Sequence, residues 1–159
     1  MKISVRGGGK VRALLIMDIQ KGYFEEYDTD LLNKINQRIL QAIENQEQII
    51  YVKNIKKLRS GIKIAEWIDG LKVCSSNIVY KESASAFSSK ALLEILRQNQ
   101  VDEIEMVGID GNSCIARSAI DAQELGYKVI LPCAYIGVKN KEQFIKTKHV
   151  LEEKGIIVV

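Results

Sequence analysis

Three residues in this chain have the chemistry of an activated nucleophile if the fold brings them together. Cys114 follows the apolar run Ile104 to Ile109 across the turn Gly108-Ile109-Asp110-Gly111-Asn112-Ser113. The spacing puts it in the first turn of a helix, where unpaired N–H groups and the macrodipole favour an anion. Helix N-termini and neighbouring cations both lower a thiol pKa below its free value of about 8.5. Asp18 follows the apolar run Ala13-Leu14-Leu15-Ile16-Met17, and a carboxylate buried there needs a cation or several N–H donors. Lys81 follows Ile78-Val79-Tyr80. Together they would supply a nucleophile, a proton acceptor and a cation at one edge of a sheet. Each alone has an ordinary structural alternative. A free cysteine is often a small buried apolar residue, a strand-end aspartate often caps the next turn, and a lysine there often snorkels to solvent.

The elements that must position them are legible as apolar runs. Ala13–Met17, Ile49–Val52, Ile78–Tyr80, Ile104–Ile109, Val129–Leu131 and Ile156–Val159 are continuous rather than alternating, as expected of strands covered on both faces. Between them lie four helical stretches. Asp28 to Gln46 places Leu32, Ile35, Ile39 and Ile43 on one face. Ser88 to Asn99 carries Leu92, Leu93 and Leu96, and Ser113 to Leu125 is stopped by Gly126. Asn140 to Lys154 opens with Asn140 and Gln143 in a capping-box pattern and ends at Gly155. Alternating strands and helices predict a three-layer α/β/α fold around a six-stranded parallel sheet, whose ligands bind at the carboxyl ends of the strands. The crossover Asn54 to Asn77 is expected to hold only a short helix near Ile62 to Ile68 and to serve partly as a lid. Pro132 fits the end of the fifth strand. Without repeats or linkers, residues 1–159 read as one domain, with 1–10, including Gly7-Gly8-Gly9, a flexible lead-in.

Composition narrows the classes. The chain has 159 residues, 27% of them charged, with a net charge of +3. No Lys/Arg stripe suggests nucleic acid, and Lys53 to Arg59, with four basic residues, reads as a solvated loop. No apolar run approaches the roughly 20 residues needed to cross a bilayer, so no membrane is expected, and the N-terminus lacks a secretory h-region. Cys74, Cys114 and Cys133 are scattered without metal-knuckle spacing, which implies free thiols and a cytoplasmic protein.

Three segments together resemble the isochorismatase-like superfamily. Ala13 to Phe24 (ALLIMDIQKGYF) is similar to its opening strand, with an aspartate followed by Q-x-x-F. Ile78 to Phe87 (IVYKESASAF) is similar to its lysine element, and Val107 to Tyr127 (VGIDGNSCIARSAIDAQELGY) to its cysteine element. The resemblance implies strand order 3-2-1-4-5-6, so that Lys81 must lean across the second strand, two spacings of about 4.8 Å from the first. It implies that Asp18 accepts the Cys114 proton and returns it to the leaving group, that Lys81 holds Asp18 ionised, and that Cys114 forms a thioester. It also implies a cis Ile109–Asp110 peptide that aims the Asp110 N–H, with that of Cys114, at an oxyanion. The two charges act oppositely on the thiol: Asp18 raises its pKa while Lys81 and the helix lower it.

Departures from the family sharpen the expectation. Nicotinamidases of the superfamily bind a metal through an Asp-x-His cluster, whereas this chain has only His149. No metal and no other cofactor are therefore expected. True isochorismatases often lack the cysteine. What remains is hydrolysis of a small amide or N-carbamoyl compound, with Phe24, Phe87, Trp67, Asn112 and Tyr135 as pocket walls. The resemblance further implies a homo-oligomer, a dimer or tetramer. The competing reading is a catalytically silent member kept as an oligomeric or binding module. A receiver-type phospho-acceptor domain is excluded, because the acidic pair and the late lysine it needs are missing.

Overall fold

The run Ala13–Met17 has no exposed residue, and its side chains divide strictly by parity, as a pleated strand requires. Ala13, Leu15 and Met17 enter one core and Leu14 and Ile16 the other. In the computed structural model, which describes residues 10–159, this run is β1 (Arg12–Met17). It is followed by β2 (Gln48–Leu58), β3 (Gly61–Ile64), β4 (Ile78–Lys81), β5 (Glu103–Ile109), β6 (Lys128–Leu131), β7 (Ile136–Gly137) and β8 (Ile157–Val158). The helices are α1 (Leu31–Glu44), α2 (Lys90–Gln98), α3 (Cys114–Glu124) and α4 (Lys141–Glu153). The lead-in expected at 1–10, glycines included, lies outside the described residues except for Lys10.

Parallel pairing runs β4-β2-β1-β5-β6-β8, the expected 3-2-1-4-5-6 order of the six strands, with β3 and β7 added. Residues of α1 pack on Leu14 and Ile16, whereas α2, α3 and α4 pack on Ala13, Leu15 and Met17. The ends of the helices follow from local chemistry. Asn140 accepts the Gln143 N–H through its side chain at 2.9 Å, while Gly126 and Gly155 take positive φ beyond the last turns of α3 and α4.

The crossover from β2 to β4 departs from expectation. No helix forms near Ile62 to Ile68, and Lys53 to Arg59 is not a loop. Instead β2 continues to Leu58 and returns as antiparallel β3. The reason is periodicity: Ile62 and Ile64 are two apart, so they share one face of a strand, with Ile64 opposite Ile55. The chain beyond β3 is pinned down rather than hinged. Ile68 N–H donates to Ile19 O at 2.9 Å, and Tyr51 OH donates to Lys72 O at 2.6 Å.

A polar cluster interrupts the core. Glu105, inside the apolar β5, receives the Arg38 guanidinium at 2.5 Å, and Arg38 also binds Glu47 at 2.6 Å. Among the described residues, no helix is long and apolar enough to cross a membrane.

Candidate active site

The carboxyl ends of β1, β4 and β5 converge, and with them the three residues singled out by chemistry. Asp18 turns off β1 in a left-handed conformation (φ 60) and donates its N–H to Val52 O at 3.1 Å. Beside it β5 runs unusually close. A Cβ at Gly108, whose φ is +117, would stand 2.2 Å from Met17 O, so only glycine lets the two backbones meet there. Past β5 the Ile109–Asp110 peptide is cis, and α3 begins at Cys114.

Lys81 does reach across β2. Its Nζ lies 3.1 Å from Asp18 Oδ2, 3.3 Å from Cys114 Sγ and 3.3 Å from Ser83 O. The ammonium therefore spends its three protons on three acceptors, in a side chain only 1% exposed. Asp18 Oδ1 is buried without a partner.

Of the opposed influences expected on the thiol, those that raise its pKa prevail in the resting site. Burial pushes the Cys114 thiol up, and the Asp18 charge adds to this, outweighing Lys81. Burial also raises Asp18 above the ordinary carboxylate range, against the pull of Lys81. The resting site thus holds a thiol, not a thiolate. Moving the thiol proton to Asp18 leaves the trio's net charge unchanged, and the two groups titrate as a coupled pair.

The surrounding loops are fixed by side chains that the sequence analysis did not weigh individually. Ser118, one helical turn beyond Cys114, accepts the Ala86 N–H at 2.9 Å and so ties the loop after Lys81 to α3. The Asp110 carboxylate accepts the Asn112 N–H at 2.7 Å, Tyr27 OH at 2.9 Å and the Lys139 N–H at 3.0 Å. Burial and Asp110 together push the Tyr27 phenol far above its ordinary range. Fully buried Gln20 accepts the Asn54 N–H at 2.8 Å. Gln20 and Ser118 stand inside the motif segments, but Tyr27 carries no signal in the linear chain. Among the described residues, neither the Asp110 N–H nor the Cys114 N–H has an acceptor.

The expected pocket walls fall on both faces of the sheet. Phe87 packs on the same core as Cys114 and stacks on Tyr127 at 6.5 Å. Phe24, Trp67 and Tyr135 belong to the α1 side. Phe24 is buried there against Tyr27 at 6.4 Å, and Trp67 lies against Tyr51 at 5.6 Å. Asn112 is occupied: its Nδ2 donates to Asn140 O at 2.9 Å and its Oδ1 accepts from Thr147 Oγ1 at 2.8 Å. It fastens the turn before α3 to α4. His149 faces a groove on α4 with Cys133, Lys148 and Glu152. Among the described residues, no three of His, Cys, Asp and Glu gather to hold a metal, so the donor set does not fit a zinc ion.

Comparison with known proteins finds a matching family and a shared fold. The Isochorismatase domain family matches residues 12–143. The maleamate amidohydrolase of Pseudomonas putida is 26% identical over 89 residues, covering 55% of this chain and 42% of that protein. The chain thus spans less than half the length of this curated relative. Among solved structures, the zinc complex of the pyrazinamidase of Pyrococcus horikoshii superposes with a TM-score of 0.80 at 21% identity, covering 93% of this chain and 98% of that one. The N-carbamoylsarcosine amidase of Thermoplasma acidophilum gives a TM-score of 0.79 at 18% identity, covering 93% and 95%. At these identities the structures establish a shared fold.

Proposed function

The chain belongs to the isochorismatase family, and from that premise we propose that it is a metal-independent cysteine hydrolase of a small amide or N-carbamoyl compound. One observation carries the reading: a single buried ammonium, Lys81, lies within 3.3 Å of both a carboxylate and a thiol at the strand ends. Asp18 takes the Cys114 proton as Sγ attacks the carbonyl carbon of the substrate. The free N–H groups of Asp110 and Cys114 receive the developing oxyanion, and one such donor is worth roughly 2.7–4 kcal/mol of barrier. Asp18 then passes the proton to the departing nitrogen, the C–N bond breaks, and a thioester remains on Cys114. Water, deprotonated by Asp18, attacks the thioester, and the proton returns to sulfur as the acid leaves. Lys81 keeps a positive charge beside whichever of the two groups is anionic, and this is why a buried carboxylate can act as a base.

Two relatives named as amidohydrolase and amidase support the choice of a C–N bond. Phe87 is the expected wall residue that shares a core with the nucleophile, and it is the first candidate for contact with substrate. We also propose a homo-oligomer. Ile145, Val150 and Ile157 leave apolar surface exposed on α4 and β8, and light scattering of the purified chain tests this directly. For the activity, the test is product release from a panel of primary amides and N-carbamoyl amino acids, with Cys114→Ala as the control. Turnover that disappears in this variant, while its circular dichroism is unchanged, is the expected result. Turnover that persists in it rules the nucleophile out.

A further inference from the structure

Beside the catalytic strand ends, the hairpin of β2 and β3 meets the loop that follows Asp18 and closes a small cleft of about 110 Å³. Lys21, Gly22, Tyr23, Lys56, Lys63 and Ala65 line it. Three of these six side chains are ammonium groups. Lys56 stands directly opposite Lys63 in the antiparallel register, a placement that like charges oppose. Among the described residues no carboxylate pairs with either lysine. Lys21 leans on Asp69 at 3.2 Å, but the Asp69 side chain is 93% exposed, and such a solvated contact contributes little. Lys56 Nζ lies 5.3 Å from the Tyr23 ring centroid, which gives the cleft one aromatic wall. The nearby Glu25 carboxylate is engaged by the Gly22 N–H at 2.7 Å.

This cleft is fastened to the catalytic elements. Gln20 donates from Nε2 to Asn54 O and Ala65 O at 3.2 and 3.0 Å, clamping β2 and the residue just after β3 to the chain just past Asp18. Asn54 is in register with Lys81 and donates to Tyr23 OH at 3.4 Å. Lys56 is two residues farther along β2, a distance of about 7 Å at the usual strand rise. A cavity beside the loop that follows Asp18, with three ammonium groups of which only Lys21, among the described residues, faces a carboxylate, has the chemistry of a substrate subsite.

We propose that the cleft formed by Lys21, Lys56 and Lys63 binds an oxyanion of the substrate, so that the amide cleaved at Cys114 also carries a carboxylate or phosphate. The inference rests on the hydrolase reading for its substrate, but the cleft can be tested without turnover. Glutarate and inorganic phosphate are titrated calorimetrically into the native chain and into the double variant Lys56→Met/Lys63→Met. Both lysines are exposed strand residues, and near-identical circular dichroism checks that the variant is folded. Glutarate binding that weakens about tenfold or more in the variant, and weakens with added salt, supports a carboxylate. The same behaviour with phosphate alone supports a phosphate group. Binding of neither, or binding indifferent to the lysines, overturns the site.

In a kinetic arm, the half-amides of dicarboxylic acids from glutaric to octanedioic are compared with methyl-ended amides of equal length. A preference for the acid of roughly ten- to hundredfold in kcat/KM, residing in KM and collapsing in the double variant, is expected. Equal rates for acid and methyl partners count against the cleft. If neither amide series nor any N-carbamoyl amino acid is turned over, the hydrolase reading fails while the titration still decides whether the cleft takes an anion.

Discussion

Lys81 and Asp18 form a buried ion pair across an intervening strand, with Nζ and Oδ2 3.1 Å apart and both side chains almost fully excluded from water. Such a pair is held by its desolvated surroundings, and removing one member strands the other. Lys81→Met is therefore expected to destabilise the fold by about 3–5 kcal/mol, read from urea unfolding, and to abolish turnover. A loss under about 1 kcal/mol would mean that the pair is solvated in solution.

The raised pKa of Asp18 fixes the sign of the pH dependence. Activity needs one proton shared between Asp18 and Cys114, and it fails when a second is added. Because burial lifts Asp18 above its ordinary value, kcat/KM should fall on the acid side at a pH above the free carboxylate value of about 4. The thiol is raised too, so the alkaline limb should lie above the free thiol value of about 8.5. An acid limb at or below pH 4 would contradict the burial of Asp18. The same shift means that the folded chain keeps a proton the unfolded chain has already released. The stabilising contribution of this carboxyl is thus present at low pH and is lost as pH rises through its folded value.

Tyr27→Phe removes a donor from the Asp110 carboxylate but leaves its two backbone donors, Asn112 N–H and Lys139 N–H. The expected cost is about 0.5–1.5 kcal/mol of stability. If Asp110 is an oxyanion donor, kcat should fall with KM little changed, because the N–H acts on the transition state. A change in KM alone would separate Tyr27 from the oxyanion geometry.

Arg38→Met leaves Glu105 and Glu47 without their cation in a part of the molecule remote from the catalytic trio. A loss of about 3–5 kcal/mol is expected, with kcat retained at temperatures where the variant stays folded. Replacing all three together with apolar residues should recover much of that loss.

Chelation tests the proposed metal independence. With no metal-holding cluster among the described residues, incubation with EDTA followed by assay should leave the rate unchanged, whereas a drop restored by zinc would point to ligands supplied some other way.

Much of this architecture was readable in the chain because the sheet is covered on both sides. Continuous apolar runs such as Ala13–Met17 mark parallel strands, and the residues at their ends mark the site. Asp18, Lys81 and Cys114 could be placed at one sheet edge from spacing and resemblance alone. The hairpin could not, because Ile62, Ile64 and Ile68 satisfy two periodicities over so short a stretch, and the pairing of Ile64 with Ile55 is a tertiary choice. The balance between the opposed influences on the thiol is not legible either. It depends on how much protein covers the sulfur, which no local pattern reports. Asn112 reads as a pocket residue by position, yet its amide is consumed by Thr147 and Asn140, partners about thirty residues away along the chain. Tyr27 was silent for the same reason.

The prolonged β2 acts as a ruler. Its residues 48–52 are in register with β1 and 51–54 with β4, so one length of backbone sets how far the lysine stands from the aspartate and where the basic hairpin begins. Inserting or deleting a single residue between Gln48 and Asn54 would shift that scale by about 3.3 Å and turn every following side chain to the opposite face. The ammonium would part from the carboxylate and the cationic cleft would lose its place in the same stroke. Length variation among relatives should therefore be tolerated past Leu58, in the turn, and be absent before it.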